Sequence, residues 1–285
     1  MISKVAVIGA GTMGAGIAEV AALSGFETVL FDVLPEGLAK GMDRIGKSWA
    51  KGVEKGKVSA EDVAKAKAFL RSETDLGKAV GTADLVIEAV PEKLDLKKSL
   101  YTQLKPLLKK EAILGTNTSS ISITELAKAS PNPARFLGLH FFNPPAILKL
   151  LEIVTHAGLD EAVLKACRAA ADTLGRSSII VKDSPGFATS RLAVAVAMEA
   201  IRMLEEGVAS AADIDTAMEV GYRWPMGPLK LTDHIGLDVR LDITTYLHGA
   251  LKSDVFKPPE LMKKLVKEGK LGVKSGEGFY KHPKS

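Results

Sequence analysis

The sequence predicts an α/β protein: a doubly wound, mostly parallel Rossmann-type sheet followed by a smaller all-α domain. Three observations predict it. Short apolar runs alternate with helical stretches through the first two-thirds of the chain. The first of these runs, Val5-Ala6-Val7-Ile8, ends in Gly9-Ala10-Gly11-Thr12-Met13-Gly14, a glycine turn that opens a helix. After Asp183-Ser184-Pro185-Gly186 the strand patterns nearly vanish while helical ones continue.

Taken in order, strands are expected at 4–8, 28–31, 85–89, 112–115, 136–140, 150–154 and 177–181. Helices between them start near Met13, Pro35, Leu94, Ser122 and Asp160, and Ser122 with Glu125 fits a capping box. The stretch 36–71 is alanine- and lysine-rich, broken by Gly46, Gly52 and Gly56, and reads as a pair of helices projecting from the sheet. Beyond 185, a helix at 187–206 is apolar almost all round and should be buried, with an interface between subunits as one way to bury it. Further helices are expected at 211–220, 228–233, 237–251 and 259–268. The domains are therefore 1–184, carrying the projecting segment, and 185–285.

Composition narrows the function classes. The chain has 285 residues, 46% hydrophobic and 25% charged, as a water-soluble protein of one or two domains does. A net charge of +4 with 5% aromatics and no basic block gives no reason to expect a nucleic acid, though it suits a small anion. One cysteine, Cys167, rules out an internal disulfide and a cysteine metal cluster, and its alanine-rich helical setting reads as core. No histidine or acidic spacing suggests a metal site. No apolar stretch is long enough to cross a membrane, and the N-terminus runs straight into a strand, so a cytoplasmic location is expected.

The opening βαβ unit carries the first chemistry. Gly9 makes the tight turn, Gly11 lets backbone approach a pyrophosphate, and Gly14 lets helix pack on strand. The first helical residues, Thr12 and Met13, then present backbone N–H groups and the positive end of the helix dipole to the phosphates. The second strand ends in Asp32, which accepts from a ribose 2′-hydroxyl and repels a 2′-phosphate, so the unit reads as binding NAD rather than NADP.

In open sheets of this kind ligands bind at the carboxyl ends of the strands, and three later tips are polar: Glu88 to Glu92, Thr116-Asn117-Thr118-Ser119-Ser120, and His140-Phe141-Phe142-Asn143-Pro144-Pro145. A lone histidine at a strand end is structural by default. Glu152 changes the reading of His140. It interrupts the apolar run Leu150-Leu151-Glu152-Ile153-Val154, where a carboxylate must be paired. A turn at Asn143-Pro144-Pro145 would make the two strands antiparallel and set Glu152 beside His140. That pairing fixes the imidazole tautomer and makes the ring a better base for an alcohol proton. Lys47, Lys51 and Lys55 share one helical face, either as a solvated stripe or as a patch for an anionic substrate tail.

On these segments, with Pro225-Met226-Gly227-Pro228-Leu229 and Gly276-Glu277-Gly278-Phe279-Tyr280, the chain resembles the short-chain 3-hydroxyacyl-CoA dehydrogenases, essentially from end to end. The resemblance implies an NAD domain followed by a helical domain that dimerises, and interconversion of (S)-3-hydroxyacyl-CoA and 3-oxoacyl-CoA, with short chains such as 3-hydroxybutyryl-CoA favoured. It makes His140 the general base, Glu152 its orienting acid, and Ser119 a contact of substrate and nicotinamide. Asp32, Glu92, Lys97, Ser119 and Asn143 become NAD contacts, and Lys51 and Lys55 contacts of the CoA phosphates. One position departs: where the family has asparagine in Pro-Gly-Phe-x-x-Asn-Arg, this chain has Ser190, which offers one shorter donor to the substrate oxygen in place of an amide. Two other readings stay open at this point: an NAD-dependent dehydrogenase of a non-CoA hydroxy acid, such as a sugar acid or carnitine, and a catalytically weak NAD-binding protein marked by Ser190.

Overall fold

The chain divides into two compact units, Met1–Ser184 and Pro185–Ser285, and the computed structural model describes residues 1–283. The first unit runs β1 (Lys4–Ile8), α1 (Thr12–Leu23), β2 (Glu27–Phe31), α2 (Pro35–Glu54), α3 (Ala60–Phe69), β3 (Leu70–Glu73), α4 (Leu76–Val80), β4 (Leu85–Glu88), α5 (Leu94–Leu104), β5 (Ile113–Thr116), α6 (Ile123–Ala129), β6 (Phe136–Phe141), β7 (Leu150–Thr155), α7 (Glu161–Thr173) and β8 (Ser177–Lys182). The strands form one sheet in the order β3-β2-β1-β4-β5-β6-β7-β8. Every pair is parallel except β6–β7. The central strands β4, β5 and β6 are buried along their whole length, which explains their mostly apolar sequences.

The core joins sheet residues such as Val7, Leu30, Ile87 and Leu139 to Ile17 and Ala18 of α1 and Cys167 of α7. Burial pushes the Cys167 thiol up to about 12, so it is a small core side chain and no nucleophile. Helix α2 differs from expectation. It runs unbroken through Gly46 and Gly52, and the chain turns only at Gly56, whose φ of +64° suits glycine. Its inner residues Leu38, Ile45 and Trp49, with Val63 and Ala66 of α3, sit in the main core. The end of the same stretch is strand, not helix: Leu70 and Arg71 belong to β3. At Ser122 only half of the capping box forms. The Ser122 hydroxyl accepts from the Glu125 N–H, while the Glu125 carboxylate turns to Lys128.

The second unit is all-α: α8 (Thr189–Glu205), α9 (Ala211–Thr216), α10 (Pro228–Ile235), α11 (Leu237–Leu251) and α12 (Glu260–Lys267), with a π turn at Ala217–Gly221 continuing α9. Helix α8 is one-sided rather than buried all round. Val194, Met198 and Ile201 are in the core, but Leu192 is 68% exposed. Two fully buried carboxylates organise the rest. Asp215 accepts from the N–H groups of Leu229 and Lys230 and from the Tyr280 hydroxyl, and Asp233 accepts from the N–H groups of Phe279 and Tyr280 and pairs with His282. A Cβ on Gly227 would lie 2.3 Å from Asp215, and one on Gly278 would lie 2.2 Å from Asp233. The two glycine-bearing motifs of the second unit are thus docking surfaces for buried aspartates. Among the described residues, no helix is long and apolar enough to cross a membrane.

Candidate active site

The glycine turn between β1 and α1 is shaped by close approach. Gly9 has φ +101°, donates its N–H to the Phe31 carbonyl, and would carry a Cβ 2.8 Å from the Ala89 carbonyl oxygen. A Cβ on Gly14 would be 1.7 Å from the Gly9 carbonyl oxygen, so only glycine lets α1 sit this close to β1. Gly11 has open space where its Cβ would be, and as N-cap of α1 it brings no side chain to the free N–H groups of the first turn. At the tip of β2, Asp32 accepts from Ala10 N–H at 2.8 Å and Leu34 N–H at 3.0 Å, which fixes the carboxylate while leaving lone pairs unused. An uncapped helix end above a turn with room for a pyrophosphate, and a fixed acid at the next strand, fit NAD.

The four parallel strands β1, β4, β5 and β6 end on one edge, and their tips converge. A cavity of about 340 Å³ there is lined by Met13, Ala89, Val90, Glu92, Asn117, Ser119, His140, Phe141, Phe142 and Asn143. The turn at Asn143-Pro144-Pro145 makes β6 and β7 antiparallel, and the register sets His140 directly opposite Glu152. His140 Nδ1 lies 2.7 Å from Glu152 Oε2, and Glu152 has no solvent exposure. With Nδ1–H donated to the carboxylate, Nε2 is the basic nitrogen of the ring. The imidazole stacks obliquely on Phe142, with ring centroids 4.5 Å apart.

Glu92 organises the facing wall. It accepts from the Thr118 hydroxyl, from the N–H groups of Ser119 and Ser120 at 3.0 and 3.1 Å, and from the Ser120 hydroxyl at 3.1 Å. Burial pushes its carboxyl up, but the Thr118 hydroxyl, the Lys97 ammonium and the serine donors outweigh burial and hold it below the usual carboxylate range. The turn at 118–120 is held in this way, with Ser119 exposed at the cavity. Lys97 stands behind this wall. It is 1% exposed, with Nζ 2.6 Å from Glu88 and 3.5 Å from Glu92.

A second cavity, about 570 Å³, lies among α1, α2 and the β6–β7 connection. Lys47, Lys51, Lys55, Lys57 and Arg176 line it beside the apolar Val20, Leu23, Trp49, Val58 and Ile147. The lysine stripe is therefore one wall of a concave, mixed surface. Asn143 lines the first cavity and Pro144 the second, so one short connection borders both. Ser190 lies in the first turn of α8, in the second unit, and is half-buried.

Sequence reasoning missed several partners. Asn117 Oδ1 accepts from Phe141 N–H at 2.8 Å and ties two strand tips together. Tyr101 and Thr116 donate to the buried Glu88. Glu19, one face of the second cavity, accepts from Ser48 at 2.6 Å. Glu88 and Glu19 interrupt apolar stretches just as Glu152 does, and that signal could have flagged both.

With this geometry in place, comparison with known proteins is consistent along the whole chain. Residues 4–184 match the model of the 3-hydroxyacyl-CoA dehydrogenase NAD-binding domain, and residues 186–282 match that of the C-terminal domain. The chain belongs to the 3-hydroxyacyl-CoA dehydrogenase family. It is 43% identical to a probable 3-hydroxybutyryl-CoA dehydrogenase of Deinococcus radiodurans, over 98% of this chain and 100% of that one. It is 41% identical to the mitochondrial hydroxyacyl-coenzyme A dehydrogenase of Sus scrofa, over 99% of this chain and 92% of that one. The crystal structure of (S)-3-hydroxybutyryl-CoA dehydrogenase from Ralstonia eutropha superposes with a TM-score of 0.95 at 36% identity, covering all of both chains.

Proposed function

We propose that this protein interconverts (S)-3-hydroxyacyl-CoA and 3-oxoacyl-CoA with NAD, on short acyl chains. The observation that carries the proposal is the His140–Glu152 pair, set by strand register at a cavity that also holds Ser119 and Asn143. NAD, when bound against the Gly9–Gly14 turn and Asp32, supplies the two-electron acceptor. His140 Nε2 takes the proton of the 3-hydroxyl as the carbonyl forms, and returns it in the reverse direction. Glu152 holds the ring in the needed tautomer and balances the positive charge the ring gains. The Ser119 hydroxyl donates to the 3-oxygen, and the resemblance alone counts Ser190 as a further donor. Lys51 and Lys55 take the CoA phosphates, and Met13, Glu92 and Asn143 border the nicotinamide end.

A homodimer working in the cytoplasm is part of this reading. The exposed apolar side chains of the second unit, among them Leu192, Val220 and Tyr222, support the dimer. The test is NADH oxidation with acetoacetyl-CoA. The wild type should turn over, and His140→Gln should lose at least about a hundredfold in kcat with little change in KM. Wild-type rates in His140→Gln would exclude this histidine as the base. Equal rates with acetoacetyl-CoA and free acetoacetate would favour the non-CoA reading.

A further inference from the structure

The connection between β6 and β7 borders both cavities, so whatever holds it bears on both. It has little packing of its own: residues 143, 144 and 146–149 are exposed, and Pro145 is buried among them. Pro145 lies against α1, where a Cβ on Gly16 would be 2.8 Å from its ring. The Pro144 carbonyl accepts from the N–H groups of Ile147 and Leu148, which closes the turn on itself. Arg176 ties that turn to the sheet. Helix α7 ends at Thr173, Gly175 turns the chain with φ +63°, and Arg176 stands one residue before β8. Ser177 of β8 is paired with Leu150 of β7, so Arg176 sits where the connection enters the sheet. Its Nε donates to the Leu174 carbonyl at 3.0 Å, which fixes the plane of the guanidinium. Its Nη1 donates to the Pro145 carbonyl at 2.7 Å and to the Leu148 carbonyl at 3.0 Å. Bonds from a charged planar fork are strong and directional. Nη2 makes no bond among the described residues and is not a buried atom left without a partner. Since Arg176 is part of the wall of the second cavity, Nη2 is the donor it keeps for that cavity.

We propose that Arg176 is a positioning residue: it fixes the β6–β7 connection, and through it Asn143 at the first cavity, while its remaining donor serves the anionic tail of the substrate in the second. The kinetic part rests on the reaction proposed above; the hold on the connection does not. A lysine at this position keeps the charge and loses the fork. An ammonium is a point donor on a flexible stem, and it cannot reproduce a planar group that bonds three carbonyls and still has a donor left over. A methionine loses charge and fork together. The two substitutions therefore separate the two roles.

The test uses the full-length protein with Arg176→Lys and Arg176→Met. Amide hydrogen exchange of Ile147 and Leu148 is followed in the ligand-free proteins, where the reaction plays no part. Both amides should exchange about fivefold faster or more in either variant than in the wild type. Turnover with NADH is followed on acetoacetyl-CoA and on an acetoacetyl thioester lacking the nucleotide. Arg176→Lys should lose about tenfold in kcat on both substrates, with the KM for acetoacetyl-CoA within about threefold of wild type. Arg176→Met should lose as much in kcat and also raise the KM for acetoacetyl-CoA about tenfold, but not that for the truncated thioester. In an Asn143→Ala background, Arg176→Lys should cost less than about twofold in kcat, because the residue it positions is gone. Wild-type exchange and wild-type kcat in Arg176→Lys would overturn the positioning role. So would a lowered melting temperature with kcat per folded molecule unchanged, which is what a purely structural arginine gives. Full additivity with Asn143→Ala would overturn the route through Asn143, and an unchanged KM for acetoacetyl-CoA in Arg176→Met would overturn the tail contact. A wild type that fails to reduce acetoacetyl-CoA would refute the reaction, and the hold on the connection would then stand or fall by the exchange alone.

Discussion

Glu152 and Asp32 show how differently two acids can be used at the edge of one sheet. Glu152 has no exposure and lies 2.7 Å from the His140 imidazole, so its charge is spent inside the protein. Asp32 sits at a strand tip and braces two backbone N–H groups, with acceptor capacity left over for a ribose. Its charge matters more than its shape for choosing between cofactors. Asp32→Asn keeps an acceptor of the same size and removes the repulsion of a 2′-phosphate. The ratio of kcat/KM for NADH over NADPH should fall about tenfold or more, as steady-state rates with both cofactors will show. Ser190 stands where the resemblance leads one to expect an asparagine. Ser190→Asn restores the longer amide donor, and an added preorganised donor of this type is worth up to ~3 kcal/mol. We expect kcat/KM for acetoacetyl-CoA to rise about tenfold. A flat response would mean that the serine, or a water on it, already serves the substrate oxygen.

Among the elements, legibility followed burial. β4, β5 and β6 are buried on both faces and could be read from their apolar runs; β3, at the sheet edge, reads Leu-Arg-Ser-Glu and has no pattern to read. Helix α4 spans five residues, too few to show a helical period. The His140–Glu152 pair was legible because a carboxylate inside an apolar strand demands a partner, and a turn of known position told where to look. The burial of Lys97 against Glu88 was not, because lysines on helices are ordinarily solvated, and nothing local to α5 reports the carboxylates of other elements. Arg240 of α11 is the same kind of surprise. It lies on the inner stripe with Leu237, Thr244 and Leu247, is 3% exposed, and its Nε and Nη2 have no hydrogen-bond partner among the described residues. Burial pulls its guanidinium down to about 10. Arg240→Met keeps the volume and removes the unsatisfied donors, so it should stabilise the protein by about 1–3 kcal/mol. Thermal or denaturant unfolding of the folded variant checks this, and a lowered midpoint would show that the arginine has a use the static structure conceals.

At the scale of the first unit, chemistry and recognition occupy adjoining cavities bordered by one connection. Asn143 faces the cavity of His140 and Ser119, and Pro144 faces the cavity of the lysines. This arrangement lets the charged end of a long substrate be held by lysines that lie outside the cavity of the reacting carbon. Lys47 is neutralised locally by Asp43 at 2.7 Å, whereas among the described residues Lys51 and Lys55 form no ion pair. Those two, unlike Lys47, are therefore available to a phosphate. They act equally on the ground state and the transition state, because the phosphates do not change during the reaction, so their removal should appear in KM and not in kcat. Lys51→Ala/Lys55→Ala should raise the KM for acetoacetyl-CoA by about ten- to a hundredfold at low salt and leave kcat within about twofold. The wild-type KM should rise with added salt, and the variant's should rise much less, since solvent-exposed charges are screened. An acetoacetyl thioester lacking the nucleotide removes the same interaction from the substrate side. Wild type and variant should then handle that truncated thioester alike. A variant that lost kcat on it as well would place the lysines in the fold of α2 rather than on the substrate.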